Sequence, residues 1–165
     1  MDNPALATTM AQDMGLSLDA CAAEDRPGPC MIVIVGASGD LTARKIVPAL
    51  FSLYVNGGLP DPFLVVGCAR TEMDDHGFRE KMKKALRKSG PLDEGKWAGF
   101  SRLLHYRPVG YEDLPSFAAM ADSLKELNKE HGTGWNRVFY LAIPPSLYKS
   151  TAQMFGTAGL STGGA

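Results

Sequence analysis

The sequence predicts a doubly wound α/β domain, with a mainly parallel sheet and helices on both faces. Three observations carry that expectation. Short, wholly apolar, β-branched runs recur along the chain, as strands buried on both faces require. Amphipathic helical stripes alternate with those runs, over connections long enough for crossovers between parallel strands. The first run also ends in a glycine turn that opens directly into the first helical stripe.

Ordered sequence begins after Pro27-Gly28-Pro29. Met31 to Val35 (MIVIV) reads as the first buried strand. From about Leu41 to Val55 the apolar positions Val47, Leu50, Phe51 and Tyr54 follow helical spacing. Pro48 is a misfit there, because proline removes a donor and clashes with an earlier carbonyl, so either a kink or a proline tolerated near the start of a regular turn is expected. Asn56, Gly57 and Gly58 end the helix. Phe63 to Val66 is a second buried strand ending at Gly67, and Phe78, Met82, Ala85 and Leu86 stripe a second helix closed by Ser89-Gly90-Pro91. Arg102 to Val109 is expected as a third strand. Leu114, Phe117, Ala121, Leu124 and Leu127 mark a third helix to about Glu130. Arg137 to Ile143 (RVFYLAI) is the last apolar strand, and a final helix is expected to start near Pro145.

The chain has 165 residues, enough for one domain with a sizeable core. Seventeen basic residues against eighteen acidic ones leave a net charge of −1, which gives no electrostatic reason to expect nucleic acid or an anionic membrane as partner. Any anion site must therefore be local. No apolar stretch approaches the length of a membrane helix, about 20 residues. Residues 1–29 carry five acids and the single base Arg26, unlike a secretory or transit peptide. They read as a flexible N-terminal arm of a cytoplasmic protein. Cys21, Cys30 and Cys68 form no C-x-x-C pair and are expected as reduced thiols. His76, His105 and His131 have no metal-ligand spacing; they are expected as surface or loop histidines, and no metal site is expected.

The turn at 36–41 joins a buried strand to a helix N-terminus, where free backbone N–H groups and the helix dipole favour a phosphate. Gly36 permits the tight turn, Gly39 permits close backbone approach, and the Ser38 hydroxyl can donate to a phosphate oxygen. The dinucleotide fingerprint G-x-G-x-x-G is not matched, since its second and third glycines fall on Ser38 and Leu41. A turn that only lets strand and helix pack is the plainer alternative. A P-loop is excluded, because Leu41 and Thr42 stand where glycine and lysine are required. At the end of the second strand, Arg70 and Thr71 stand where an NAD site places an acid and an NADP site an arginine. The guanidinium fork suits a phosphate dianion, so NADP is favoured over NAD; a solvated surface arginine is the alternative. A short-chain reductase is excluded, because its Tyr-x-x-x-Lys pair would need lysine at Ala152.

Together these segments resemble the glucose-6-phosphate dehydrogenase family. The run Gly36 to Phe51 (GASGDLTARKIVPALF) resembles its first motif, VVGCAR at 65–70 its 2′-phosphate segment, and FYLAIPPSLY at 139–148 its third. The family's helix proline falls on Pro48. The resemblance implies a Rossmann-like NADP-binding domain over 30–165. It implies cofactor contacts from Gly36, Ala37, Ser38, Gly39, Asp40, Leu41, Arg70 and Tyr148, with Lys45 near cofactor and substrate. It also implies oxidation of glucose 6-phosphate to the lactone with NADP as hydride acceptor, the first step of the pentose phosphate pathway.

The family's base, a histidine held by an aspartate, lies in an R-I-D-H-Y-L-G-K segment, and a further lysine lies in E-K-P-F-G. Neither segment occurs in this sequence. No catalytic residue is therefore assigned. The glycine-rich tail 159–165 reads as a cut end, so the domain is expected to be incomplete at its C-terminus, lacking the substrate and dimerisation domain. The family's homo-oligomer is then not expected here, the chain alone is expected to be inactive, and an apolar sheet edge is expected to be exposed. The alternative reading is a non-catalytic NADP-binding module.

Overall fold

The computed structural model describes residues 27–161. The expected arm therefore lies almost wholly outside the described residues, as does Cys21.

Four strands form one parallel sheet: β1 (Cys30–Val35), β2 (Phe63–Ala69), β3 (Leu104–Pro108) and β4 (Arg137–Leu141). Their spatial order is β3-β2-β1-β4, with every neighbouring pair parallel. The chain walks outward from β1 through β2 to β3, then returns to the other side of β1. That reversal makes the β1–β4 boundary the topological switch point, the place where open α/β sheets bind ligands. Helices α1 (Val47–Val55), α2 (Asp75–Ser89), α3 (Glu94–Ser101) and α4 (Leu114–His131) make the crossovers, and α5 (Tyr148–Thr157) follows β4.

Strand alternation builds two cores. Met31, Val33 and Val35 of β1, with Leu64, Val66 and Cys68 of β2, face Phe117, Met120 and Leu124 of α4 and Phe155 of α5. The alternate residues Cys30, Ile34, Phe63, Val65 and Ala69 face Val47 of α1, Phe78 and Met82 of α2, and Trp97 and Phe100 of α3. Both faces are therefore dry, which is why β1 and β2 read as unbroken apolar runs rather than as alternating ones.

One local expectation is narrowed and three are corrected. Of the two readings of Pro48, the proline at the start of a regular turn is the one observed. A π-helical turn spans Thr42–Ile46, with the Val47 N–H reaching back to Thr42 O, and Pro48 then sits in the first turn of α1. The wider turn removes the demand for a Pro48 donor and relieves the clash of its ring with the earlier carbonyl. Strand β2 runs through Gly67 to Ala69, because a Cβ on Gly67 would lie 2.7 Å from Ala37 Cβ and 2.8 Å from Phe78 Cζ. That glycine marks a close approach, not a strand end. The expected third strand starts at Leu104 instead of Arg102, since α3, capped by the Asp93 carboxylate on the Lys96 N–H at 3.0 Å, occupies the residues before it. The last strand ends at Leu141, and a 3-10 turn at Pro145–Leu147 precedes α5.

The two outer strands differ. On β3 the free edge is closed by side chains of α2: the Asp75 carboxylate accepts from the Tyr106 N–H at 2.7 Å, and Arg79 Nε donates to Leu104 O at 2.9 Å. On β4, Val138 and Tyr140 are 51% and 42% exposed, so one face of that strand lacks cover among the described residues. The exposed apolar edge expected from the sequence is thus β4.

Candidate nucleotide-binding site

The turn after β1 sits at the switch point. Gly36 has φ +89, and a Cβ there would lie 2.3 Å from Ala142 O. Its N–H and that of Ala37 both donate to Cys68 O, at 2.7 and 3.1 Å, so the turn is tied to the end of β2 as well. Gly36 is therefore demanded by packing between β1 and the end of β4. Gly39 is different. It is exposed, and a Cβ there would meet only Gly36 O, at 3.1 Å, with open space beyond. The first helical return bond runs from Ala43 N–H to Gly39 O at 3.3 Å. It leaves the N–H groups of Asp40, Leu41 and Thr42 without helical acceptors, the arrangement that binds phosphate at a helix N-terminus. Gly36 thus serves the packing of the strands, while Gly39 leaves the face of the turn open.

Residues after β2 converge on this turn. The Thr71 hydroxyl donates to Ser38 Oγ at 3.0 Å. The segment carrying Arg70 and Thr71 is anchored from below by Tyr106, whose hydroxyl donates to Thr71 O at 2.7 Å and to Ala69 O at 3.3 Å. Burial and the neighbouring Cys68, Tyr111 and Glu72 push the Tyr106 phenol up to about 12, so it remains a donor at every physiological pH. Arg70 is exposed and stands over the Tyr111 ring, its Cζ 5.3 Å from the centroid. A guanidinium held on a ring face keeps its donors free at its edge. Cys68, directly below, is fully buried, and burial pushes its thiol up to about 12.

The remaining predicted residues fall as follows. Ala37 is buried under the turn, whereas Asp40 and Leu41 are exposed on it. Asp40 pairs with Arg44 at 3.1 Å, an open i,i+4 contact that adds little to stability. Lys45 is exposed on the π-helical turn. Tyr148 begins α5 just past the end of β4 and is 42% exposed. Gly36 to Leu41, Arg70 and Tyr148 thus all lie at the carboxyl ends of β1, β2 and β4. Sequence reasoning missed Tyr106 and Tyr111, which position the arginine segment, and Lys81, whose ammonium donates to Ser38 O. Only the through-space partners reveal them.

The residues present fit a dinucleotide. A helix start with free N–H groups, a glycine with open space above it and two bonded hydroxyls meet at the turn after β1, with an arginine beside one of them at the end of β2.

One histidine expectation is corrected. His105 lies on β3, is 8% exposed, and its Nδ1 is 3.1 Å from Asp75 Oδ2; His131 is the last residue of α4 and packs against it, ring centroids 5.9 Å apart. This is a histidine–aspartate pair, yet it closes the outer edge of the sheet, with two strands between it and β4. Asp75 is also spent on the Tyr106 N–H and on Arg107 Nη1 at 2.8 Å. His105 Nε2 is buried, and burial outweighs the aspartate in holding the imidazole below its ordinary value. A base needs access to its substrate. This pair is a structural clasp.

Comparison with known proteins agrees with this geometry. The family model "Glucose-6-phosphate dehydrogenase, NAD binding domain" matches residues 33–165. Glucose-6-phosphate 1-dehydrogenase of Chlamydia pneumoniae is 43% identical over 122 residues, which cover 73% of this chain and 24% of that protein. The protein of the same name from Aggregatibacter actinomycetemcomitans is 42% identical over 132 residues, covering 80% of this chain and 27% of its own. A solved structure described as glucose-6-phosphate dehydrogenase in complex with its substrate glucose-6-phosphate superposes with a TM-score of 0.74 at 31% identity, covering 83% of this chain and 29% of that one. The chain thus spans about a quarter of the length of the curated relatives it matches. Fold and sequence converge: the chain belongs to the glucose-6-phosphate dehydrogenase family and carries its nucleotide-binding domain.

Proposed function

We propose that this chain holds the NADP half of a glucose-6-phosphate dehydrogenase site. The reaction is oxidation of the C1 hydroxyl of glucose 6-phosphate to the lactone, in the cytoplasm, and the nicotinamide of bound NADP supplies its hydride acceptor. The observation that carries the reading is the bond from Thr71 to Ser38, which ties the segment carrying Arg70 to the turn at the carboxyl ends of β1 and β2. The N–H groups of Asp40 to Thr42 and the open face of Gly39 hold the pyrophosphate. Arg70, aligned by Tyr111 and by Tyr106 beneath it, takes the 2′-phosphate. Tyr148 flanks the cofactor beyond β4, and Lys45 faces the sugar-phosphate side.

No described histidine serves as base, because His105 is locked in the β3 clasp and the family's histidine segment is absent from the sequence. These residues therefore bind and orient the cofactor but do not remove the substrate proton. In the family the whole enzyme assembles as a homo-oligomer, and we assign that contact to residues other than these.

Calorimetric titration of the chain with NADP and NAD, repeated on Arg70→Ala, tests the reading. NADP is expected to bind tighter than NAD, with the preference lost in the variant; an unchanged preference contradicts the role of Arg70. Following NADPH absorbance with glucose 6-phosphate is expected to show no turnover, and sustained turnover contradicts the half-site.

A further inference from the structure

The groove beside the phosphate turn carries more positive charge than the turn itself accounts for. It has a volume of about 500 Å³ and runs between the start of the first helix and α2, with Asp40, Arg44, Lys81, Lys84, Lys88 and Ser89 on its walls. Four cations face one carboxylate, in a chain whose net charge is −1. One of these cations is held in place. Lys81 projects from the middle of α2, is half-buried, and its ammonium donates to the Ser38 carbonyl across 43 residues of sequence. Ser38 is also the residue whose hydroxyl receives the Thr71 bond. Thr71, the residue after Arg70, and Lys81 therefore reach the same turn residue from two elements, one just past the end of β2 and the other on α2.

We propose that Lys81 is a specificity residue for the adenosine 2′-phosphate of NADP, the second cationic wall of the pocket whose first is Arg70. This rests on the reading of the turn given above. Three physical points support it. A lysine loses rotamer freedom comparable to what one bond to a carbonyl returns, so the contact adds little to stability and its main consequence is to fix a charge. An ammonium has three donors, and Ser38 O uses one, leaving two for an incoming anion. A 2′-phosphate is close to a dianion at neutral pH, whereas the ribose hydroxyl of NAD is uncharged, so a fixed ammonium separates the two cofactors.

The experiment is calorimetric titration of the 165-residue chain with 2′,5′-ADP and with 5′-ADP, on the parent protein, Lys81→Gln, Lys81→Arg and Arg70→Ala. Glutamine removes the charge but keeps a donor for the Ser38 carbonyl, and thermal denaturation of each variant checks that the turn is retained. Lys81→Gln is expected to weaken 2′,5′-ADP by about tenfold, leave 5′-ADP within about twofold, and reduce the salt dependence of 2′,5′-ADP binding. Lys81→Arg is expected to restore most of the loss. Equal weakening of both nucleotides assigns Lys81 a structural role and overturns the proposal, as does no weakening of either. If 2′,5′-ADP preference is present and Arg70-dependent but survives Lys81→Gln, only Lys81 is misassigned. If the parent chain shows no such preference, the reading of the site fails and the proposal falls with it.

Discussion

Gly36→Ala and Gly39→Ala, two apparently equivalent changes in one turn, are expected to fail in opposite ways. At Gly36 the backbone sits at φ +89, where an L-residue costs about 1–2 kcal/mol. The added Cβ would lie 2.3 Å from Ala142 O, more than 1 Å inside the ordinary contact distance of 3.4 Å. Ala142 cannot retreat freely, because its N–H donates to Val35 O at 2.8 Å and closes the β1–β4 ladder. Overpacking of this kind costs about 1–3 kcal/mol, and a lost ladder bond about 1 more. The total of about 3–6 kcal/mol is a large part of the 5–15 that holds a domain together. Urea unfolding followed by circular dichroism should lower the midpoint by more than about 1 M at an ordinary slope. Gly39→Ala meets only Gly36 O, at 3.1 Å, and should cost less than about 1 kcal/mol, while NADP binding weakens because the methyl fills the face left open for phosphate. A loss below about 1 kcal/mol at Gly36, or unaltered NADP affinity at Gly39, refutes this division of labour.

Three further outcomes follow from the same geometry. Gly67→Ala drives a methyl to 2.7 Å from Ala37 Cβ and 2.8 Å from Phe78 Cζ, and should destabilise the domain by about 1–3 kcal/mol in the same urea assay; a neutral effect contradicts the close approach. Tyr106→Phe removes the donor to Thr71 O and should weaken NADP severalfold through the Arg70 segment while leaving a folded domain, as titration and a melting curve would show together; unchanged affinity detaches Tyr106 from the site. Acid should destabilise the β3 clasp. Burial opposes the Asp75 carboxylate, but the Tyr106 N–H, Arg107 and His105 outweigh it and hold Asp75 below its ordinary value. Its contribution is therefore complete above the ordinary carboxylate range, about 4, and disappears below it. His105 is also held below its ordinary value, so the unfolded chain takes up that proton first and stability begins to fall as pH drops through about 6.5. Asp75→Asn should lower Tm at pH 7, flatten its fall below about pH 4 where the carboxylate no longer titrates, and steepen it between about 6.5 and 4 because His105 loses the carboxylate that raised it; a parallel pH profile would contradict the clasp.

The sheet was legible because β1 and β2 are buried on both faces, and burial on both faces writes itself as an unbroken apolar run. Strand β4 was legible as a strand but not as an edge: Val138 and Tyr140 are apolar and yet exposed, which the sequence pattern alone cannot distinguish from burial. Helix α3 was missed because Trp97 and Phe100 are only three residues apart in an eight-residue element, too short to display a period. The π-helical turn was visible only as a proline that fitted badly. In the candidate site, Gly36, Ser38, Gly39 and Arg70 were legible because turn and strand-end positions have local sequence signals. Lys81 and Tyr111 have none, since each reaches the site across the tertiary structure. The same reason hid the Asp75–His105 pair, 30 residues apart.

The central claim is that this chain alone forms a 2′-phosphate-selective dinucleotide site. Competitive titration of the purified chain with NADP and NAD at fixed ionic strength tests it most directly. NADP should bind at least about tenfold tighter, the worth of one charge-assisted contact, with the margin gone in Arg70→Ala. Equal affinity for the two cofactors, or a margin that survives loss of Arg70, would contradict it.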